Sequence, residues 1–364
     1  MKKGLYVHIP FCVQKCKYCD FISFTSCDYS EYIDSLCNEL DLWKGENVDT
    51  VFIGGGTPTV LPTKLIDKLF AHINLTFKPE QNTEWTVEAN PKTVDKEKLE
   101  LMSSLGVNRI SLGVQSFNDN ELKRIGRIHT SKEAQETILL IKEHFDNFNI
   151  DIISALPDQT YESFINTLRT AVGFNPAHIS CYSLILEEGT PLHAEHQKSP
   201  LSLPDEDTER DMYSSMIDFL ENNGYHQYEI SNFSKPGYEC RHNLKYWHCE
   251  DYIGVGVAAH SLYNGVRNEN TSELAEYLKG NYSNEKTVLT PSDKMSEYII
   301  MSFRLREGLD EKEFYKRFSI DFSKEYKKAL ERFISMGLIE KTPTGYRLTR
   351  DGINVSNSIL CEFV

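Results

Sequence analysis

Residues 8–21 read HIPFCVQKCKYCDF and place Cys12, Cys16 and Cys19 in one short loop directly after a β-rich run, GLYVHIP at residues 4–10. The other six cysteines, Cys27, Cys37, Cys181, Cys240, Cys249 and Cys361, are scattered along the chain. Three thiols this close, with Phe21 two residues beyond the last, need a chemical reason. One candidate is a zinc tetrahedron, for which His8 would supply the fourth ligand from inside the strand, although structural zinc sites usually draw on two paired knuckles. The other is a cubane iron–sulfur cluster held at three corners, which leaves one iron open to a small molecule bearing an amine and a carboxylate.

The run before the loop is the first of a series. VDTVFIGGG (48–56), EWTVEANP (84–91), NRISLGVQS (108–116), FNIDIISALP (148–157) and HISCYSLIL (178–186) read as further strands. Between them lie amphipathic helical patterns such as SEYIDSLCNELDLW, with Tyr32, Leu36, Leu40 and Trp43 on one face. Strands alternating with helices predict an α/β fold, a complete or partial parallel β/α barrel. In such a barrel the ligand sits at the carboxyl ends of the strands. Those ends deliver the cysteine loop, GGGTP, Glu88, Gln115, Asp151, and then Tyr182 with Ser183.

Residues 1–200 form this expected core. Residues 201–288, with a helix at DTERDMYSSMIDFLENNG and the segments RHNLKYW and DYIGVGVAAHSLYNG, read as an extension packed on the barrel. From 289 to 364 helices and a hairpin-like end predict a small winged-helix-like domain serving packing or partner binding.

A net charge of −15 across 364 residues argues against duplex nucleic acid as a partner, because like charge repels at long range. No stretch approaches the roughly 20 apolar residues that span a bilayer, so no integral membrane segment is expected. The opening MKKGLYVHIP turns polar too quickly for a signal peptide, and an odd count of nine cysteines suits a reducing compartment. The expected location is the cytoplasm, including peripheral association with a membrane.

The Cys-x3-Cys-x2-Cys spacing of CVQKCKYC, with Tyr18 before the last cysteine, resembles the signature of radical S-adenosylmethionine (SAM) enzymes. YVHIPFC, GGGTPT, EANP, ISLGVQSF, IGRIH and GVGVAAHS are similar to successive blocks of the oxygen-independent coproporphyrinogen III oxidase group. The resemblance implies a [4Fe–4S] cluster on Cys12, Cys16 and Cys19, with SAM on the open iron. It implies that Gly55, Gly56 and Thr57 cradle the amino and methionine end of SAM. Glu88 would accept from its ammonium or ribose groups, Gln115 and Arg127 would hold it, and Asp151 would take a ribose hydroxyl. Tyr6 and Tyr18 would shape the adenine and methionine pockets. On the residues alone each has a plainer reading: a turn for GGG, a surface carboxylate for Glu88, core aromatics for the tyrosines. An electron from a low-potential donor such as a flavodoxin or ferredoxin would then cleave SAM to methionine and a 5′-deoxyadenosyl radical.

Two departures separate the chain from coproporphyrinogen dehydrogenases within that group. Phe21 stands where they carry a further cysteine, and the first strand begins within a few residues of Met1, without their preceding segment. Both resemble HemW-type heme chaperones, and RHNLKYW (241–247) matches that group's HNxxYW motif. The resemblance implies heme as cargo, recipient hemoproteins including those of the respiratory chain, and His242 as the heme-iron ligand on an accessible face. Cys240, His248, Cys249 and His260 are competing ligands. The motif's plainer reading is a histidine capping a turn beside core aromatics Tyr246 and Trp247. Coproporphyrinogen dehydrogenation and a non-enzymatic structural metal protein remain the alternatives.

Overall fold

The computed structural model describes residues 2–25 and 28–364. Six strands follow in chain order, each parallel to the next: β1 (Lys3–Ile9), β2 (Val48–Gly55), β3 (Glu84–Ala89), β4 (Arg109–Gln115), β5 (Phe148–Ser154) and β6 (His178–Ser183). Helices connect them, and the sequence marks where several begin. Thr130 and Glu133 close a reciprocal capping box on the helix Ser131–Lys142, satisfying donors its first turn would leave unpaired. Thr160 caps Tyr161–Gly173 in the simpler way.

Alternation within the strands decides what each face does. Leu5, Val7, Ile9, Val51, Ile53, Trp85, Val87, Ile110, Leu112, Ile150, Ile152 and Ile179 are buried in one continuous apolar core with the helices. Each such side chain contributes about 1.5–3 kcal/mol relative to exposure. The intervening positions are Tyr6, His8, Glu84, Glu88, Arg109, Ser111, Asn149, Asp151, His178 and Ser180. The concave face is thus polar, and its hydrogen-bonding groups line space instead of filling it.

The strands within residues 226–288 lengthen this sheet. β7 (His226–Gln227) and β8 (Asn232–Ser234) join antiparallel beyond β6. β9 (Tyr252–Val255) pairs parallel with the free edge of β1, and β10 (His260–Tyr263), β11 (Val266–Asn270) and β12 (Ser283–Val288) continue antiparallel. The result is one twelve-stranded sheet ending at β12 and β7, an incomplete barrel.

The last part of the chain has its own core of Tyr298, Phe303, Phe314, Phe322, Phe333 and Phe363. Its strands β13 (Leu309–Asp310), β14 (Ile339–Lys341) and β15 (Gly345–Leu348) form a second sheet in the order β13-β15-β14. The helix Pro291–Ser302 leans against the helix Arg241–Trp247, and Arg304 stacks over the Trp247 ring at 4.5 Å. Among the described residues no helix is long and apolar enough to cross a membrane.

Candidate functional site

The cysteine loop leaves β1 and folds over a cavity of about 480 Å³ at the carboxyl ends of the parallel strands. Its base is tied by Phe24 N–H donating to Pro10 O at 2.7 Å and Cys12 N–H to Phe24 O at 3.1 Å, and its far side by Lys17 N–H to Ile125 O at 3.0 Å. Cys12, Cys16 and Cys19 are unpaired thiols that all line this cavity. Cys12 Sγ lies 3.6 Å from Thr57 Oγ1, and Cys16 Sγ accepts from Arg127 Nη1 at 3.5 Å. Burial raises the Cys12 thiol and pushes Cys19 up to about 11. A metal would have to displace those protons, as thiolate sites generally require.

The zinc alternative needs His8 among these thiols, and the fold sends it elsewhere. Its Nδ1 pairs with Tyr6 Oη at 2.9 Å and its Nε2 with Ile22 O at 3.3 Å, and burial lowers it to about 4. Among the described residues no three His, Cys, Asp or Glu side chains converge to hold a single ion. Three thiols spread around one cavity, with His8 committed elsewhere, fit a multi-iron cluster.

The glycine run is spliced onto this loop. Gly56 N–H donates to Ile9 O at 2.9 Å and Thr57 N–H to Phe11 O at 2.7 Å, and a Cβ at Gly56 would sit 2.6 Å from Phe11 O. Gly55, at φ 103, donates to Glu88 Oε2 at 3.0 Å. These N–H groups are spent on the protein. Acceptor oxygens remain, which suits an ammonium group. Thr57 Oγ1 is itself oriented by Asn90 Nδ2 at 2.6 Å.

Glu88 of β3 and Asp151 of β5 both line the cavity, on strands either side of β4. Burial and the nearby Asp151 charge push Glu88 up to about 8. Asp151 is also raised by burial, against hydrogen bonds that include Asn149 Nδ2 at 2.6 Å and Ser111 Oγ at 3.3 Å. Below them Arg109, only 2% exposed, donates to Thr86 Oγ1 at 3.4 Å and leaves Nε without a partner. One buried guanidinium therefore faces a group of carboxylates across the cavity floor.

Arg127 crosses the mouth. Its fork donates to Asn90 Oδ1, Gly113 O and Cys16 Sγ, and so braces the strands to the cysteine loop. Only Nε is unpartnered. Gly113 makes room for the brace, since a Cβ there would lie 2.7 Å from Asn90 Oδ1 and 3.0 Å from Gln115 Nε2. Gln115, at φ 70 in the left-handed region, follows a register shift between β4 and β5 that lets it line the cavity. Tyr18 packs beside Arg127 in the same space.

Two expectations are corrected. Tyr6 does not line this cavity; it faces a neighbouring cleft of about 530 Å³, together with His8. His242 is 1% exposed, not accessible. Its Nδ1 pairs with Thr50 Oγ1 at 2.8 Å and its Nε2 with Tyr246 Oη at 2.8 Å, and the ring stacks on Phe52. Both nitrogens are occupied, so His242 as folded offers none to iron, and the plainer reading of a histidine among core aromatics describes it. The short helix Arg241–Trp247 instead plugs the barrel interior. Glu84 holds its start, accepting from Arg241 N–H at 3.0 Å and His242 N–H at 2.9 Å. Asn243 faces the first cavity, while Tyr246 and Trp247 face the cleft.

Sequence reasoning passed over Asn90, Arg109, Ser111 and Asn149, although polar residues alternating with aliphatic ones in RISLGVQ and FNIDIIS were a signal for a polar interior.

The radical SAM superfamily matches residues 6–171 and the HemN C-terminal domain residues 289–355. The heme chaperone HemW of Escherichia coli is 36% identical, covering 99% of this chain and 98% of that one. That of Lactococcus lactis is 35% identical, with coverage of 99% and 96%. Among solved structures, coproporphyrinogen III oxidase (HemN) from Escherichia coli, a radical SAM enzyme, superimposes with a TM-score of 0.86 at 25% identity, over 100% of this chain and 90% of that one.

Proposed function

The chain belongs to the HemW heme chaperone family of radical SAM proteins, and from that premise we propose that it binds heme and hands it to recipient hemoproteins. The observation that carries the reading is the extent of the likeness, which runs through the cysteine loop, the HNLKYW segment and the C-terminal domain alike. Recipients in the respiratory chain, a cytoplasmic location with peripheral membrane contact, and a flavodoxin or ferredoxin as electron source complete it.

In this reading Cys12, Cys16 and Cys19 hold a [4Fe–4S] cluster and the cavity beneath holds SAM. Bound together, the two supply one-electron chemistry at the sulfonium. The chain's own residues position and shield. Glu88, Asp151 and Thr57 offer oxygens to ammonium and ribose groups, Gln115 offers its side-chain amide, and Tyr18 covers the ligand. Arg127 is a positioning residue that fixes Cys16 against β4. Phe21, 61% exposed, stands where a dehydrogenase carries another thiol, which argues against porphyrinogen decarboxylation.

Anaerobic reconstitution tests the whole scheme. Wild-type protein should gain about four irons per chain, bind hemin saturably, pass it to an apo-hemoprotein, and leave coproporphyrinogen III unconverted in the presence of SAM and reductant. Cys16→Ala should lose nearly all cluster iron. Accumulation of decarboxylated product would turn the assignment to the dehydrogenase, and stoichiometric zinc with no iron would refute the cluster.

A further inference from the structure

The cleft that receives Tyr6 is a second built cavity on the same concave face, and none of the roles given to the first requires it. Its floor is Tyr6 and His8 of β1, and one wall is the aromatic end of the motif helix with Tyr252. His260 and Leu262 of β10 line it beside Tyr252, and Met301 and Glu297 come from the helix Pro291–Ser302. Asp20 and Phe21, immediately after the last cluster cysteine, line both cavities.

We propose that this cleft, between the motif helix, β10 and the C-terminal domain, is where the chain carries its iron porphyrin, with His260 as the axial ligand. The proposal rests on the heme-chaperone reading and supplies its site. At about 530 Å³ the space is within the range that takes a cofactor-sized ligand. Aromatic faces flank it, as a flat apolar macrocycle needs. Phe21 exposes most of its ring beside it, and Tyr246 is fixed by His242 Nε2 on one side and by edge contact with Tyr252 at 4.6 Å on the other. Trp247 Nε1 is buried without a partner.

The hydrogen bonds separate the two histidines. His260 is exposed on β10 and among the described residues its ring is engaged by no hydrogen bond or ion pair, whereas His242 has both nitrogens committed. Imidazole is a common protein ligand for heme iron, and the Met301 thioether enters from the other domain. Arg267 also lines the cleft, 2.7 Å from Glu297, and can turn from that carboxylate to a heme propionate. HNLKYW then builds the wall against which the porphyrin lies: His242 is a positioning residue acting through Tyr246. Because one wall belongs to a separately cored domain, a small displacement of that domain opens the site, as cargo transfer demands.

Hemin titration of wild type, His260→Ala and His242→Ala, followed by the Soret band, decides the matter. His260→Ala alters an exposed side chain, and SAM binding reports that it is folded. It should bind hemin at least tenfold more weakly with a shifted Soret band, and added imidazole should restore the wild-type spectrum. His242→Ala should weaken binding while keeping the wild-type band position. A His260→Ala protein with wild-type spectrum and affinity would overturn the site while leaving the chaperone reading intact. A wild type that binds no hemin would overturn both.

Discussion

The two cavities share a sheet, a loop and a plug, yet they are made differently. In the cluster-side cavity the polar groups hold one another: Glu88 holds Gly55, Asn90 holds Thr57 and Arg127, and Asn149 holds Asp151. In the side cleft the walls are mostly aromatic and aliphatic, with Tyr6 paired to His8 and Arg267 to Glu297, while His260 among the described residues is engaged by no hydrogen bond or ion pair. A tightly cross-bonded cavity fixes the orientation of a ligand that stays, because each donor is already aimed. A loosely engaged aromatic cleft at a domain junction binds by area and releases by opening. The contrast suits a protein with resident cofactors on one side and transient cargo on the other.

Glu84 gives the largest test, because the plug it holds belongs to both cavities. Its carboxylate, 8% exposed, takes the first two N–H groups of Arg241–Trp247, and its charge lies near buried Arg109. Glu84→Gln removes that charge and turns one acceptor into a donor facing N–H groups. The expected loss is about 2–4 kcal/mol in urea unfolding, accompanied by weaker binding of both SAM and hemin. Loss of one ligand alone would show that the cavities do not share this partition.

Glu39 sharpens the cleft side. It lies behind the turn that leads into β10, accepting from Gly256 N–H at 2.8 Å, Tyr277 Oη at 2.6 Å and Asn270 Nδ2 at 2.6 Å. Burial outweighs those bonds and pushes it up to about 7. A carboxyl raised on folding binds its proton more tightly in the native state. Its contribution is therefore fully present below pH 4.5 and is lost as pH rises through 7. Glu39's own share of stability should fall across that window by up to roughly 3 kcal/mol, one pKa unit being about 1.4 kcal/mol, against the opposite trend of His8, which burial lowers to about 4. Glu39→Gln should flatten this part of the profile, and an unchanged slope would clear Glu39 of the effect.

What the sequence made legible was local. Strands β1 to β6 and the loop that closes the first cavity follow from hydrophobic period, glycine and cysteine spacing within a few residues. The sheet edges did not, because β8 finds β6 and β9 finds β1 only after long excursions of the chain. His242 misled for the same reason. Of its two hydrogen-bonding partners Thr50 lies 192 positions away, so HNLKYW could announce only the other, Tyr246, and not that both imidazole nitrogens were occupied. Tyr6 shares a strand face with His8, as alternation requires, but the division of that face into two cavities depends on the plug and on β10.

Gln115 was named from its place at a strand end, and its backbone was invisible in the sequence, since glutamine carries no signal for positive φ. A left-handed residue that is not glycine costs about 1–3 kcal/mol, and such strain persists where surrounding structure fixes it. Here Gly113 and the register shift after it leave the chain one route, and the route turns the amide into the cluster-side cavity. Gln115→Gly relieves the strain, while the freer unfolded chain takes back part of the gain, about 0.4–1 kcal/mol. The net expectation is unchanged or slightly higher stability, by up to about 1 kcal/mol. The same variant should bind SAM some three- to tenfold more weakly, the equivalent of one lost hydrogen bond, and hemin as well as wild type does. Stability and affinity would then move in opposite directions in one cavity while the other stayed silent. A variant that lost stability and kept its SAM affinity would show instead that the left-handed turn serves the fold alone.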